Sequence, residues 1–416
     1  MSRGGVALVA VAALVGALWL AWAYVNRPPR RPGGLVQQRQ PGGPAVQILE
    51  GSYVSPMAWS PDGKLLAVSW LGAGRSEVLQ AARLPGIPGQ PPAVFRLGRL
   101  VAGELVVVRT SDGALVRRFK APINTAYWPG HYCSWTRAGD AVLVAPLRGR
   151  GGGDSIVFRC EVGNGGCTAL LAARSLWGAV ASPDRSGFAL YDTARNQLDL
   201  YDKGGAYRDV VFRGFVWGLA WLPSGELLVG GVECSGSRRE EGLFLVSPPS
   251  APARRLLARD HVLPHGLCHS LNGLVPINEL VLHASGADTR RLGVVDVQRN
   301  EARGADCGAA VLLEAALALE GGLVITQRLR PGPSASSPFR DDLWALRMTD
   351  GGWLRITDWG DIGWYAVSPD GTKVAFDRRG RPGGLWVLHL DEKAIMSAKP
   401  AAKFNIVTEP FLRKAP

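Results

Sequence analysis

The sequence predicts an all-β chain, a seven-bladed β-propeller of four-stranded antiparallel blades preceded by one N-terminal transmembrane helix, and three observations carry that prediction. The first is a turn grammar. MAWSPDGKLLAVSW (Met57 to Trp70) puts proline, an acid and glycine between two apolar runs, and the pattern returns in GAVASPDRSGFALYD (Gly178 to Asp192), GLAWLPSGELLVGG (Gly218 to Gly231) and YAVSPDGTKVAFD (Tyr365 to Asp377). The second is spacing: from Val46 onward, aliphatic and β-branched runs recur about every eight to twelve residues with turn signals between them. The third is an uncharged run of 22 residues, Gly4 to Val25, ahead of everything else.

That run is long enough at 1.5 Å per residue to cross a bilayer core of about 30 Å. Trp19, Trp22 and Tyr24 cluster at its end, where aromatic rings prefer the membrane interface. It reads as an uncleaved anchor over residues 1–25; the alternative is a cleaved secretory signal, since Ala21-Trp22-Ala23 fits the small-x-small pattern. Residues 26–45, with five prolines and no apolar period, read as a Pro/Arg/Gly linker. Residues 46–391 are expected to form the propeller and 392–416 a C-terminal tail, with the ring's closing strand supplied either by Val46 to Glu50 or by Phe404 to Thr408.

Within the ring, Ser60-Pro61-Asp62-Gly63 specifies a hairpin turn: proline presets φ, aspartate tolerates the next position and glycine accepts the left-handed one. Lys64 to Val68 is apolar on both side-chain phases, so both faces of its sheet must be covered, as a blade between two blades requires. A second hairpin follows each first one, as in VVVRTSDGALVRRF, VFRCEVGNGGCTALL and LWALRMTDGGWLRIT. First-hairpin turns near Pro61, Ala138, Pro183, Pro223, Asn272, Gly321 and Pro369 space the blades at roughly 40 to 50 residues. Blade one carries a large insertion, Leu71 to Gly103. Ala309 to Glu320 is rich in helix formers where the repeat demands a first strand; architecture is taken to override propensity there.

WSPDGKLLA and VSPDGTKVAF resemble the repeat of TolB-like β-propellers, a unit also found in the propeller half of prolyl dipeptidyl peptidases. The resemblance spans roughly Val46 to Asp391 and implies a fold and little about chemistry. Two departures stand beside it: the Trp-Asp dipeptide of WD-repeat proteins is missing, and a spacer stands where TolB has an N-terminal α/β domain.

Charge and motifs narrow the function. The net charge is +12 and the pI about 9.7, but the arginines are scattered rather than gathered on one segment, which argues against nucleic acid as a partner. No G-x-S-x-G elbow and no P-loop occur, and GRGGGD (Gly149 to Asp154) lies between strands rather than before a helix. Cys160 and Cys167 flank the turn VGNGG, which places them on facing strands within disulfide reach and points to an oxidising compartment. Arg27, Arg30, Arg31 and Arg39 after the anchor argue the opposite orientation. The exported side is the reading adopted, with the propeller extracytoplasmic.

Trp177 and Trp217 stand five residues before the equivalent turn position, Trp364 stands four before Ser368, and Trp128 precedes blade two, so the four are read as aromatics lining the channel mouth for a ligand. The competing reading wedges them between blades as core. His261, His265, Cys268 and His269 lie within DHVLPHGLCHS and include donors suited to a transition metal, set against loop histidines with Cys268 in a disulfide. Asp358 and Asp361 read as a solvated turn, two carboxylates being too few for calcium. The expectation is a non-catalytic, membrane-anchored binding or scaffold protein without cofactor, meeting another envelope protein or a surface polymer. The alternative is a metal-assisted propeller hydrolase or lyase with its site near His261 to His269.

Overall fold

The computed structural model describes residues 37–411, apart from 51–56, 71–75, 78–99, 102–103, 120–130, 147–153, 175, 185, 236, 249–251, 259–261, 265–272, 282–288, 309–311, 335–336 and 379–382. The expected transmembrane segment lies outside the described residues; among those described, no helix is long and apolar enough to cross a membrane.

Antiparallel strands follow one another in sequence-adjacent pairs, as hairpin turns dictate. Blade one comprises Ala58–Trp59, Leu65–Trp70, Glu104–Arg109 and Leu115–Phe119, and blade two His131–Trp135, Ala141–Pro146, Asp154–Glu161 and Cys167–Arg174. Blade three has Leu176–Ala181, Gly187–Asp192 and Gln197–Asp202, closed by the first half of the long strand Tyr207–Trp221, whose second half opens blade four. The hand-over falls at Gly214, where φ is +138° and a Cβ would sit 1.8 Å from the Val232 carbonyl oxygen, so only glycine can stand there. Leu227–Ser235, Arg238–Val246 and Arg254–Leu257 complete blade four. Blade five is built from Val262–Pro264, Leu274–Val281, Thr289–Asp296 and Glu301–Asp306, and blade six from Leu312–Ala318, Leu323–Ser334, Ser337–Arg347 and Gly352–Arg355. Leu312–Ala318 is thus a strand despite its helix formers, because pairing with Leu323–Ser334 and packing on both faces outweigh propensity.

Blade seven contributes Ile362–Val367, Lys373–Arg378 and Gly384–His389, and its fourth strand is Gly43–Glu50 from the other end of the chain. Phe404 to Thr408 does not close the ring. Instead Ala402–Lys403 and Val407–Pro410 add fifth strands to the outer edges of blades six and five. Gln37–Gln40, which the sequence pattern places in the linker, pairs onto Gly43–Glu50 and gives blade seven a fifth strand as well. Three outer edges that would otherwise expose unpaired backbone are covered this way.

Seven buried clusters hold the described residues together, and each lies between two neighbouring blades. Leu49, Trp59, Val106 and Leu385 join blade seven to blade one; Phe119, Trp135, Val142 and Cys160 join one to two; Leu171, Leu176 and Leu190 join two to three. The series continues with Leu198 and Val229 between three and four, Leu243 and Ile277 between four and five, and Leu292 and Trp344 between five and six. Ala345, Phe376 and Trp386 join six to seven, with Ile325 and Leu343 beside them.

The first hairpin of each blade ends in a turn, and in several blades the turn's side chains bond their own backbone. In blade one the Ser60 hydroxyl donates to Asp62 Oδ1 at 2.6 Å and accepts from Leu65 N–H, while Asp62 Oδ1 also accepts from Lys64 N–H. Ser182 with Asp184 and Ser368 with Asp370 repeat the arrangement, and Thr136 with Asp140 supplies a variant in blade two. Gly63 and Gly371 take φ values of +67° and +70°, the left-handed positions these turns need. The Ser60 hydroxyl, more than any other neighbour, holds the Asp62 carboxyl below its usual range.

A second repeated device is less legible in the sequence. Trp59, Trp135 and Trp221 each stand immediately before the turn, and each indole N–H reaches the preceding blade: Trp59 donates to Ala366 O at 3.0 Å, Trp135 to Ala58 O at 2.8 Å and Trp221 to Val180 O at 3.1 Å. The three acceptors occupy the same place in their own first strands. Replacing Trp135, which is 1% exposed, with alanine is expected to cost about 3 to 5 kcal/mol through the cavity it opens. Trp135→Phe, which keeps most of the bulk but loses the bond to the Ala58 carbonyl, is expected to cost about 0.5 to 1.5 kcal/mol. Urea unfolding of both variants checks the order; equal stability of Trp135→Phe and the parent would show that the bond contributes nothing.

Candidate functional site

The first strands of the blades surround the axis, so irregularities in them bear on anything that enters the channel. Four of them share one. The register slips between Trp177 and Ala179 in blade three, between Val216 and Gly218 in blade four, between Leu313 and Ala315 in blade six and between Ile362 and Tyr365 in blade seven. Each slip is a β-bulge, which inserts an unpaired residue, bends the strand and re-aims side chains. Trp217 is the extra residue in blade four, half-buried, and Trp364 falls within the bulge of blade seven, packed partly against the core shared with blade one. Trp177 belongs to the equivalent strand of blade three, opposite Tyr191. Trp128 lies outside the described residues, and so do His261, His265, Cys268 and His269.

What the structure does describe of that histidine segment is the strand between His261 and His265: Val262–Pro264 pairs with Leu274–Val281 as the first strand of blade five. Among the described residues, no group of three or more His, Cys, Asp or Glu is placed to hold a metal ion. Asp361, which the sequence pattern assigns to a solvated turn, is instead bound to Arg378 through two bonds of 2.9 and 2.8 Å, and the guanidinium lies over the Trp359 ring at 4.2 Å. Burial of Arg378 explains the correction, since a guanidinium that is 8% exposed requires a partnered carboxylate. Cys160 and Cys167 form a disulfide across the second hairpin of blade two, with Cα atoms 4.1 Å apart. Cys234 and Cys307 carry free thiols.

One buried polar group stands apart from these paired ions. Gln197, Asp199 and Tyr201 share a face of the third strand of blade three, with Asp199 fully buried. The Arg195 guanidinium approaches Asp199 Oδ2 to 3.8 Å, but neither carboxyl oxygen has a well-formed hydrogen bond. Asp192, at the other end of the connecting turn, accepts from the N–H groups of Ala194 and Arg195 and so fixes the loop that carries the arginine. Asp199 is a carboxyl placed where the charged form is costly.

No family model matches the chain, and no curated protein sequence matches it. Solved structures do. The β-propeller domain of the Trilobed protease from Pyrococcus furiosus, described as having an open velcro topology, superposes with a TM-score of 0.53 at 9% identity, over 82% of this chain and 95% of that one. An oligogalacturonate lyase in complex with manganese matches with a TM-score of 0.49 at 9% identity, over 89% of this chain and all of that one (100%). TolB from Acinetobacter baumannii matches with a TM-score of 0.36 at 14% identity, over 63% of this chain and 60% of that one. The first of these likenesses supports a propeller fold. It also corrects the expectation of a non-catalytic protein: a ring of this kind is part of a protease, so a propeller chain that lacks a serine elbow of its own is not thereby set apart from catalysis.

Asp199 yields a prediction whose sign follows from its burial. Desolvation pushes its pKa up from 3.8 to about 6, against the pull of Arg195 and with a smaller push from Asp192. Folded protein therefore holds a proton that unfolded chain has already released between those two values. Stability from this group is full below about pH 4 and is lost as the pH rises through 6, a difference of about 3 kcal/mol. Asp199→Asn, which cannot ionise, is expected to be more stable than the parent above about pH 7 and to lose that advantage toward about pH 4. Thermal unfolding across that range tests it, and a gain independent of pH would refute the assignment.

Proposed function

We propose that the chain is a metal-assisted propeller hydrolase or lyase, with the metal held near His261, His265 and His269. The observation that supports this reading is the position of Val262–Pro264: the strand flanked by His261 and His265 is the first of its blade, next to the axis rather than on the outer rim. Imidazole nitrogens are good ligands for divalent transition metals, and such a metal supplies Lewis acidity and a water that ionises near neutral pH. A site beside that strand would meet whatever enters the channel. We further propose that the propeller works outside the cytoplasm, tethered by residues 1–25; the Cys160–Cys167 disulfide supports that placement.

Metal content is the direct test. Full-length protein dialysed against manganese or zinc and then freed of excess is expected to retain close to one ion per chain by mass spectrometry, and His265→Ala combined with His269→Ala to lose it. The parent is expected to turn over at least one member of a panel of peptide, ester, glycoside and uronate-polymer substrates, with EDTA abolishing the activity. Protein that binds no metal, or a double variant that binds it as the parent does, would defeat the proposal.

A further inference from the structure

A cleft of about 310 Å³ opens at the seam between blades three and four, on the side of the first-hairpin turns. Its lining includes Asp184 and Asp209, Arg208, and the apolar side chains or backbone of Phe188, Leu200 and Trp221. Each wall is held by the fold. The Trp221 ring is fixed by its bond to Val180 O, Asp184 Oδ1 is anchored by the Ser182 hydroxyl and the Ser186 N–H, and Asp209 Oδ1 accepts from Val210 N–H at 2.8 Å. Partial burial pushes the Asp184 carboxyl up, but its bonds from Ser182 and Ser186 outweigh that and hold it below the usual range, so it is an acceptor at neutral pH.

We propose that this cleft is a binding site for one neutral sugar ring. The chemistry of the walls decides the class. An anion would meet two carboxylates against one guanidinium, a cation would gain those carboxylates but lie beside Arg208, and an apolar ligand would strip water from all three charges without replacing it. A polyol can donate hydroxyl protons to the carboxylates and accept from the guanidinium at once, while its C–H face lies on an aromatic ring. The volume suits a ligand of that size, at the small end of ligand pockets. The site is separate from the metal reading and stands without it.

The experiment uses the full chain in EDTA, so that loss of a metal site leaves it unaffected. Methyl β-glucoside and methyl β-galactoside are titrated by calorimetry and by saturation-transfer NMR, beside arginine methyl ester and sulfate. At least one glycoside is expected to bind saturably in the millimolar range, and Arg208→Ala and Asp209→Asn each to weaken it by about tenfold, the loss of one charge-assisted bond. Arg208 is exposed and Asp209 half-buried, and a melting curve confirms that each variant is folded. The proposal is overturned if neither glycoside binds saturably, if either variant binds as the parent does, or if arginine methyl ester or sulfate binds more tightly than the sugars.

Discussion

Closing the ring is the constraint on which the rest of the structure depends. A blade has two faces, and each of the seven buried clusters is made by two blades together, so no blade completes its core alone. The last seam is closed by the first described hairpin: Gly43–Glu50 supplies the outer strand of blade seven, and Ile48 and Leu49 from that strand enter the core shared with blade one. Distant parts of the chain are therefore joined by backbone pairing, and the Gln47 side chain adds a bond to the Gly383 carbonyl, 336 residues away in sequence. Loop closure of that length is entropically costly, and the apolar area buried at the seam must outweigh it.

The tryptophan clasp shows how the seams are kept in register. Hydrophobic faces slide, since dispersion and water exclusion have little direction, whereas an indole N–H aimed at one carbonyl permits a single vertical offset between neighbouring blades. Blade three has Ala181 where its neighbours have tryptophan, and there the Ala181 N–H donates to the Ser134 hydroxyl of blade two instead. The need for a directional contact is met by different chemistry at the same level of the ring.

The architecture is legible in the sequence because turns and periodicity are local. Ser60, Asp62 and Gly63 bond within a few residues of one another, so their roles can be read from the stretch that contains them. The choice of closing strand is not local: Val46 to Glu50 and Phe404 to Thr408 both read as strands, and only pairing with Gly384–His389 distinguishes them. The tryptophans are half legible. Their recurrence is visible, and the positions four and five before the turn suggest a ligand, whereas Trp59, Trp135 and Trp221 beside the turn have partners that lie in other blades. Their shared offset, one residue before the turn, is the signal that marks them.

Among the described residues, several buried charges are closely paired, and Asp199 is not. Arg378 with Asp361, Arg355 with Asp342, and Arg347 with Asp350 pair at 2.7 to 2.9 Å, each acid bound by a guanidinium that also touches backbone or an aromatic ring. Asp199 has an arginine at 3.8 Å and the Tyr201 hydroxyl nearby, neither in good hydrogen-bond geometry. Native structures tolerate such a group when its cost is modest beside the total or when the carboxyl is useful in its neutral form. Full burial keeps Asp199 from direct contact with a substrate, which favours the first explanation and makes it a determinant of stability between blades two and three rather than a catalytic acid.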